Sequence, residues 1–292
     1  MHPETSKNAC ETLVLITESV NLMGIILRSK IQLTRLGVKT IGQTSNGIRM
    51  VSRIGLTSGI MLDYIYRNKP QGKLLIGKWL DHIYLSHPAW QDVRIRKKNL
   101  QEYLTEAVHL QRNQQRKPVI LDVAAGAARY ILDTLSREDM QDVTAVCRDL
   151  DNDALTLGGS NASEMGITSV KFEIGDAFSA QSFAEVDPAP NIIVSSGFYD
   201  WINEDSRVQE SMSLIFNVLP EGGCFLFTNQ SKHVSLEFTE QVFSDFKGNP
   251  LRMTLRPAQM VNKWVEDIGY KVFKTTEDRE YNYSVTLAIK PS

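Results

Sequence analysis

The sequence is poor in cysteine and histidine, and neither residue type forms a recognisable set. Three cysteines are scattered over 292 residues without the paired spacing of a metal or redox site. The five histidines have no second histidine or carboxylate at ligand spacing. We therefore predict no metal, and reduced thiols rather than disulfides. The residues concerned are Cys10, Cys147, Cys224, His2, His82, His87, His109 and His233.

The sequence also lacks an excess of charge of either sign. Its formal net charge is -2 and its isoelectric point is about 6.2. This balance gives no reason to expect a nucleic acid or an anionic membrane as a partner. We expect the partner to be a small-molecule substrate. The composition leaves the oligomeric state open, a homodimer included.

Long apolar runs and the motifs of several enzyme classes are missing as well. The segment from Leu13 to Leu27 is broken by Glu18 and Asn21, so it has neither the form of a signal peptide nor the length of a membrane helix. We expect a cytoplasmic protein with no membrane partner. Hydrolase and kinase functions are disfavoured because no Gly-x-Ser-x-Gly elbow, phosphate-binding loop or cysteine nucleophile is found.

What is present is a change of pattern near the middle of the chain. Residues 10–112 have helical periodicity, and after a polar link at 111–117 strands alternate with helices, which is typical of an α/β fold with a parallel sheet. We predict a helical cap over 1–112 and a cofactor-binding catalytic domain over 113–292. Strands are predicted at 118–123, 143–148, 169–174, 190–196 and 222–229, with a terminal β-hairpin around 277–280.

The helical part contains a cluster of tyrosines with two interpretations. Tyr64, Tyr66 and Tyr84 lie on predicted helices together with Trp79. Such rings commonly pack helices against one another or against the next domain. The alternative is that they form a lid over the reacting end of a cofactor, and on this hypothesis the three tyrosines are the lid candidates.

The most informative segment runs from Val119 to Tyr130. An apolar strand ends on Asp122 and turns through small residues, Ala124 to Ala128, into a predicted helix. Where a parallel strand passes into a helix, small residues let backbone N–H groups approach a bound nucleotide cofactor. This segment therefore predicts a cofactor loop.

Two further strand ends strengthen that prediction. Asp149 ends the next strand at the spacing expected of a carboxylate that holds a ribose. Asp176 ends the third strand, where its carboxylate could accept an adenine amino hydrogen while Ala177 offers its N–H to the ring. Each residue alone is a weak indication, since an Asp after a strand is often only a helix cap. The three in this order predict one site.

This pattern resembles the class I S-adenosylmethionine (SAM) dependent methyltransferases, whose loop is Asp/Glu-x-Gly-x-Gly-x-Gly. More narrowly, Leu62-Asp-Tyr-Ile-Tyr-Arg-Asn and Leu219-Pro-Glu-Gly-Gly look like a bacterial "putative methyltransferase" group. The resemblance implies a Rossmann-like sheet in the order 3-2-1-4-5-7-6 with the last strand antiparallel. It implies SAM as cofactor, bound by Asp122, Ala124, Gly126, Asp149, Leu150, Asp176, Ala177 and Ser195.

The chain departs from the family pattern in the loop itself. Ala124 and Ala128 stand where the first and third glycines are usual. Alanine can keep the turn if φ stays negative there. Ala127 stands where the narrower group has a histidine, so a polar ring is missing beside the expected methionine moiety.

The residues after the fourth and fifth strands are the catalytic candidates. In the family, the segment after strand 4 faces the reacting carbon, and here it contains Tyr199 and Asp200. Tyr199 could orient a nucleophile or place its ring near the sulfonium, whereas Asp200 could take a proton or bind an amine. Asn229 could hold a substrate, and His233 could serve as a base. Against this, the aromatic rings could simply wall the cleft and Asp200 could cap a helix.

Three functions remain open at this stage. The first is methyl transfer from SAM to a small molecule, which mainly requires alignment of the acceptor and exclusion of water. The second is cyclisation of SAM to azetidine-2-carboxylate with release of methylthioadenosine, motivated by the aromatic lid candidates and by Ala127. The third is SAM binding without catalysis.

Overall fold

The computed structural model describes residues 32, 36, 37 and 39–292, except 235, 244–248, 250 and 278–281. Cys10 and the segment from Leu13 to Leu27 lie outside the described residues, and so does the predicted hairpin turn. Across the described part of the chain, no helix is both long enough and apolar enough to cross a bilayer. The predicted cytoplasmic location stays a prediction.

The described chain begins with four helices, and six more are interspersed with seven strands. A 3-10 turn at Ile41–Thr44 precedes the first helix. The helices are α1 (Asn46–Ile54), α2 (Gly59–Arg67), α3 (Leu74–Leu85), α4 (Pro88–Asn113), α5 (Arg129–Leu135), α6 (Asn152–Glu164), α7 (Ala180–Ala184), α8 (Asp205–Val218), α9 (Leu236–Val242) and α10 (Ala258–Ile268). The strands are β1 (Val119–Val123), β2 (Thr144–Asp149), β3 (Val170–Ile174), β4 (Ile192–Ser195), β5 (Cys224–Gln230), β6 (Lys271–Glu277) and β7 (Tyr283–Ile289).

The sheet has the order β3-β2-β1-β4-β5-β7-β6. β1 to β5 run parallel, and β7 is antiparallel to both β5 and β6. The central strands β1 and β4 are buried along their whole length because helices cover both faces of the sheet. The predicted α/β class, strand order and antiparallel last strand are confirmed.

Helix α4 joins the two parts of the chain. Its residues Leu100, Leu104 and Val108 are fully buried in one core cluster with Ile120 of β1 and Ile192 of β4. A helix predicted to belong to the cap therefore packs directly on the sheet. The division at residues 112 and 113 stays a prediction, but the core of the sheet extends across it.

The helices before α4 are organised by a buried carboxylate, Asp81 of α3. Its oxygens accept hydrogen bonds from the Ser45 hydroxyl (2.7 Å), from the Gly47 N–H (2.8 Å), from the Gln71 N–H (2.7 Å) and from the Tyr64 hydroxyl. Burial alone would raise the pKa of Asp81, but these hydrogen bonds outweigh it and hold the pKa below its ordinary value. One side chain thus fixes α1 and α2 against α3.

Candidate functional site

A cavity of about 520 Å³ lies at the carboxyl ends of β1, β2 and β3. This is where an open parallel sheet of this type binds ligands. Six of the eight residues predicted to bind the cofactor line it: Ala124, Gly126, Asp149, Leu150, Asp176 and Ala177. The three strand ends are therefore brought together, as their order along the chain suggested.

Asp149 ties the ends of β1 and β2 together. Its Oδ2 accepts a hydrogen bond from the Gly126 N–H at 2.7 Å, and its Oδ1 accepts one from the Asp151 N–H at 2.9 Å. Each carboxylate oxygen can accept a further hydrogen bond. Asp149 can therefore shape the loop and contact a ligand in the cavity with the same side chain.

The loop after β1 contradicts one expectation. Ala124 has a φ of +55° and Ala128 a φ of +49°, so the condition that φ stays negative at these alanines is not met. An L-residue in this left-handed conformation is strained by about 1–2 kcal/mol because its Cβ crowds the backbone. The alanines therefore keep the backbone path of the glycine-rich loop at the expense of local strain.

Asp122 and Ser195 do not line this cavity. Asp122 is fully buried, with one oxygen accepting from the Tyr130 hydroxyl and the other having no partner among the described residues. Burial, with a smaller contribution from Asp149, raises the pKa of Asp122 to about 8 although Tyr130 opposes it. Ser195 is buried as well, and the neighbouring Ser196 lines the cavity instead.

Helix α2 contributes Gly59, Leu62, Asp63 and Tyr66 to the wall of the larger cavity. Its first residue, Gly59, lies so close to the loop that a Cβ there would be 2.4 Å from the Cα of Gly126. Asp63 is buried and paired both with Arg129 (2.7 Å) and with Arg67 (2.8 Å). The cofactor loop and the helical region therefore form one surface.

The three lid candidates occupy different places. Tyr66 lines the cavity described above. Tyr64 lines neither cavity, because its hydroxyl is directed to Asp81. Tyr84 lines a second cavity. No described contact tests the lid role itself, which stays a prediction.

The second cavity has a volume of about 290 Å³ and adjoins the first. Thr57, Leu62, Gly197 and Trp201 line both. The wall of the second cavity is mainly apolar and aromatic, with polar groups that include Arg96, Asp200, Gln230, His87 and His233. The second cavity is therefore a neighbouring compartment that shares part of its wall with the first and is itself mainly apolar.

Of the three catalytic candidates, Asp200 alone lines one of these two cavities. Tyr199 is buried in the core, where its hydroxyl lies 3.3 Å from Ser211 Oγ, and Asn229 donates to the carbonyl of Arg256 at 2.6 Å. Neither of them lines either of these two cavities. Asp200 is 2% exposed, and burial raises its pKa to about 6 although Arg96 and Arg256 oppose this. The contacts of Tyr199 and Asn229 indicate positioning, and Asp200 is the one placed for direct contact.

Arg256 holds the turn that carries Asp200. Its guanidinium donates to the carbonyls of Tyr199 (2.9 Å) and Ile202 (2.7 Å) and to the carboxylate of Asp205 (2.8 Å). The turn at Tyr199–Trp201 is thereby anchored at both ends. Arg256 is a positioning residue that no motif in the sequence singled out.

Arg96 was also missed. It is 4% exposed on α4, donates to the Tyr66 hydroxyl at 3.1 Å and lies 4.7 Å from the ring centre of Tyr283. An arginine on a long helix is usually a solvated surface residue, so nothing local distinguishes it. His233 does line the second cavity, as does His87, and burial lowers the pKa of both. Within the described residues, no group of three or more potential metal ligands is found.

The contact between Gly59 and Gly126 leads to a prediction about stability. We expect Gly59→Ala to lower the free energy of unfolding by about 1–3 kcal/mol, because the new methyl group meets backbone atoms that cannot rotate away. Gly159→Ala on α6 is the matched control, since no atom lies within 4 Å of the position that its methyl group would take. It should raise stability by about 1 kcal/mol. Urea unfolding of both variants tests this, and equal effects would contradict the contact.

Asp122 leads to a prediction about pH. Its pKa of about 8 in the folded state lies above the ordinary value of 3.8, so the folded state keeps a proton that the unfolded state has released. Stability should therefore fall as pH rises between these two values. Asp122→Asn should remove this fall between about pH 6.5 and 8.5 in urea unfolding of the ligand-free protein. Parallel pH profiles for the two proteins would show that Asp122 does not titrate as described.

Comparisons with known proteins agree with this architecture. The chain is 30% identical over 259 residues to the uncharacterized protein YnbC of Escherichia coli (strain K12), which covers 88% of this chain and 44% of YnbC. The chain thus spans less than half the length of that relative.

Solved structures resemble the fold at low sequence identity. A protein from Bordetella parapertussis described as a possible exported protein has a TM-score of 0.69 and 18% identity, covering 94% of this chain and 97% of that one. Magnesium protoporphyrin IX methyltransferase from Synechocystis PCC 6803, solved with bound SAH, has a TM-score of 0.52 and 12% identity over 80% of this chain and 100% of that one. The model of the family described as "Putative methyltransferase" matches residues 5–290, so the chain belongs to this family and has the class I methyltransferase fold.

Proposed function

We propose that this protein is a SAM-dependent enzyme that transfers a methyl group to a small molecule. The observation that carries the proposal is the junction of the two cavities, which share Thr57, Leu62, Gly197 and Trp201. Methyl transfer needs an acceptor in line with the bond that breaks, with water excluded. Two adjoining compartments, one at the cofactor loop and one with an apolar wall, suit that requirement.

The residues of the larger cavity fit SAM. Asp149 has acceptor capacity left for ribose hydroxyls, and Asp176 can accept from the adenine amino group. The loop from Ala124 to Ala128 would hold the methionine part, since all five of its residues line the larger cavity. When bound, SAM supplies an activated methyl group on a sulfonium. The protein residues then need only hold it, orient the acceptor and handle one proton.

Cyclisation of SAM to azetidine-2-carboxylate is the alternative, and the comparisons lend it no support. A cyclase needs no compartment for a second molecule, whereas this chain has a second cavity of about 290 Å³ beside the first. That cavity favours methyl transfer. SAM binding without catalysis would not require a buried carboxylate such as Asp200 to line the second cavity.

Incubation with SAM alone separates these functions. We expect mass spectrometry to show intact SAM until an acceptor is added, because methyl transfer needs a second molecule that is absent until then. Formation of methylthioadenosine and azetidine-2-carboxylate from SAM alone would establish the cyclase and rule out our proposal. Protein inactivated by heat serves as the control for spontaneous breakdown of SAM.

The cofactor assignment has its own test. Asp149→Ala should weaken SAM binding at least about tenfold, because charge-assisted hydrogen bonds contribute roughly 1.5–3 kcal/mol. Asp153→Ala is the matched control, since Asp153 is an exposed carboxylate in the first turn of α6 that does not line the cavity. Calorimetric titration should find its affinity unchanged. Equal affinity of both variants for SAM would show that Asp149 does not bind the cofactor.

A further inference from the structure

The polar groups of the second cavity indicate what kind of acceptor it takes, an inference that rests on the proposed function. Three buried polar atoms lie on residues of its lining and have no hydrogen-bond partner among the described residues: Gln230 Oε1, Arg96 Nε and the Tyr84 hydroxyl. A buried polar atom without a partner destabilises the folded protein, because it has given up its hydrogen bonds to water. All three atoms are almost inaccessible in the ligand-free protein, so a ligand would satisfy them as their side chains turn toward the cavity.

The acceptor atoms of the cavity require a hydrogen-bond donor on the ligand. Gln230 Oε1 can only accept, and the carboxylate of Asp200, which also lines the cavity, accepts a hydrogen bond from the Gln230 backbone N–H (2.8 Å) and has acceptor capacity left. A ligand group without an O–H or N–H would leave Gln230 Oε1 unsatisfied and would donate nothing to Asp200. Ethers, esters and plain hydrocarbons are therefore poor candidates.

The charged residues of the cavity limit which hydrogen-bond donor group the ligand can carry. Arg96 is permanently cationic and buried, fixed by the Tyr66 hydroxyl and the Tyr283 ring. An ammonium group would be desolvated next to this cation, and a carboxylate would be desolvated next to Asp200. A neutral hydroxyl avoids both costs. Once it loses its proton, Arg96 favours the resulting oxyanion.

The shape and wall of the cavity determine the skeleton that carries the hydroxyl. Tyr84, Trp90 and Trp201 line it, with Tyr84 and Trp90 in a tilted ring contact at 5.7 Å. Aromatic walls favour flat rings, and a volume of about 290 Å³ admits one or two of them. We propose that the methyl acceptor is a neutral aromatic alcohol of one or two rings, methylated on its phenolic oxygen.

The reaction balances with the groups present. The phenolic O–H gives its proton to the Asp200 carboxylate while the oxygen forms a bond to the methyl carbon of SAM. The bond between that carbon and sulfur breaks, and its electron pair stays on sulfur. The products are an aryl methyl ether and S-adenosylhomocysteine, and Asp200 later releases the proton to solvent. No oxidant or metal is needed for this step.

Binding of 2-naphthol tests the recognition. The protein saturated with S-adenosylhomocysteine is titrated calorimetrically with 2-naphthol, 2-naphthoate and 2-methylnaphthalene, which share one skeleton. We expect 2-naphthol to bind at least about tenfold more tightly than either of the others, because sites built around a hydroxyl reject analogues that lack it. Gln230→Leu should reduce this preference at least about threefold. Gln181→Leu, an exposed residue on α7, should leave it unchanged.

Turnover tests the role of Asp200. Wild-type protein with SAM and 2-naphthol should yield 2-methoxynaphthalene, and Asp200→Asn should lower kcat at least about hundredfold. The dissociation constant of 2-naphthol should rise by about tenfold or less, because one charged acceptor is replaced by a neutral one while Gln230 can still accept from the hydroxyl. Asn in place of Asp is nearly the same size, and circular dichroism would confirm that the variant is folded.

The outcomes separate the inference from the proposed function. If neither SAM nor S-adenosylhomocysteine binds, the proposed function is wrong and the acceptor inference falls with it. If they bind but 2-naphthol shows no preference over 2-naphthoate and 2-methylnaphthalene, the acceptor inference alone is overturned. A preference that survives Gln230→Leu, or full turnover in Asp200→Asn, would also overturn it.

Discussion

The position of the helical region depends on a contact between two backbones at Gly59 and Gly126. Neither residue has a side chain, so the start of α2 can lie directly on the loop after β1. The ion pair of Asp63 with Arg129 (2.7 Å) holds the next turn of the same helix to the start of α5, directly after that loop. Thr57 and Leu62, on either side of Gly59, then line both cavities. A bulkier residue at either glycine would move this shared wall and change both compartments together.

Buried charges in this protein mainly fix loops and short helices. Asp81 orders the helices before α4, Asp63 pairs with Arg129 next to the cofactor loop and with Arg67 on its own helix, and Arg256 anchors the turn that carries Asp200. Each of these groups has several hydrogen-bond partners, as a buried charge requires. Removing one partner of such a pair is expensive because the other charge stays buried. Two of the buried carboxylates also line a cavity: Asp63 lines the larger one and Asp200 the smaller one.

The strand ends could be predicted from sequence, whereas the second cavity could not. Asp149 and Asp176 each follow an apolar strand, and parallel strands bring their carboxyl ends to one edge by geometry alone. Arg96, Gln230 and Tyr283 come from separate elements that meet only after α4 packs on the sheet. In the turn after β4, either Tyr199 or Asp200 could face the second cavity. Which of them does so depends on how the turn is rotated, and no periodicity in the sequence predicts that rotation. The positive φ of Ala124 and Ala128 could not be predicted from the sequence, because alanine rarely adopts this conformation.

The second cavity also has a consequence for how the chain folds. Ile48 and Tyr283 line the same compartment although they lie near opposite ends of the described chain. Tyr283 begins β7, which is inserted between β5 and β6. Contacts between residues so distant in sequence form late, because the entropy of closing a long loop is lost before the contacts stabilise the fold. On the ribosome, the cofactor loop could be in place well before the compartment beside it. Its wall would be completed only once the last strand has emerged.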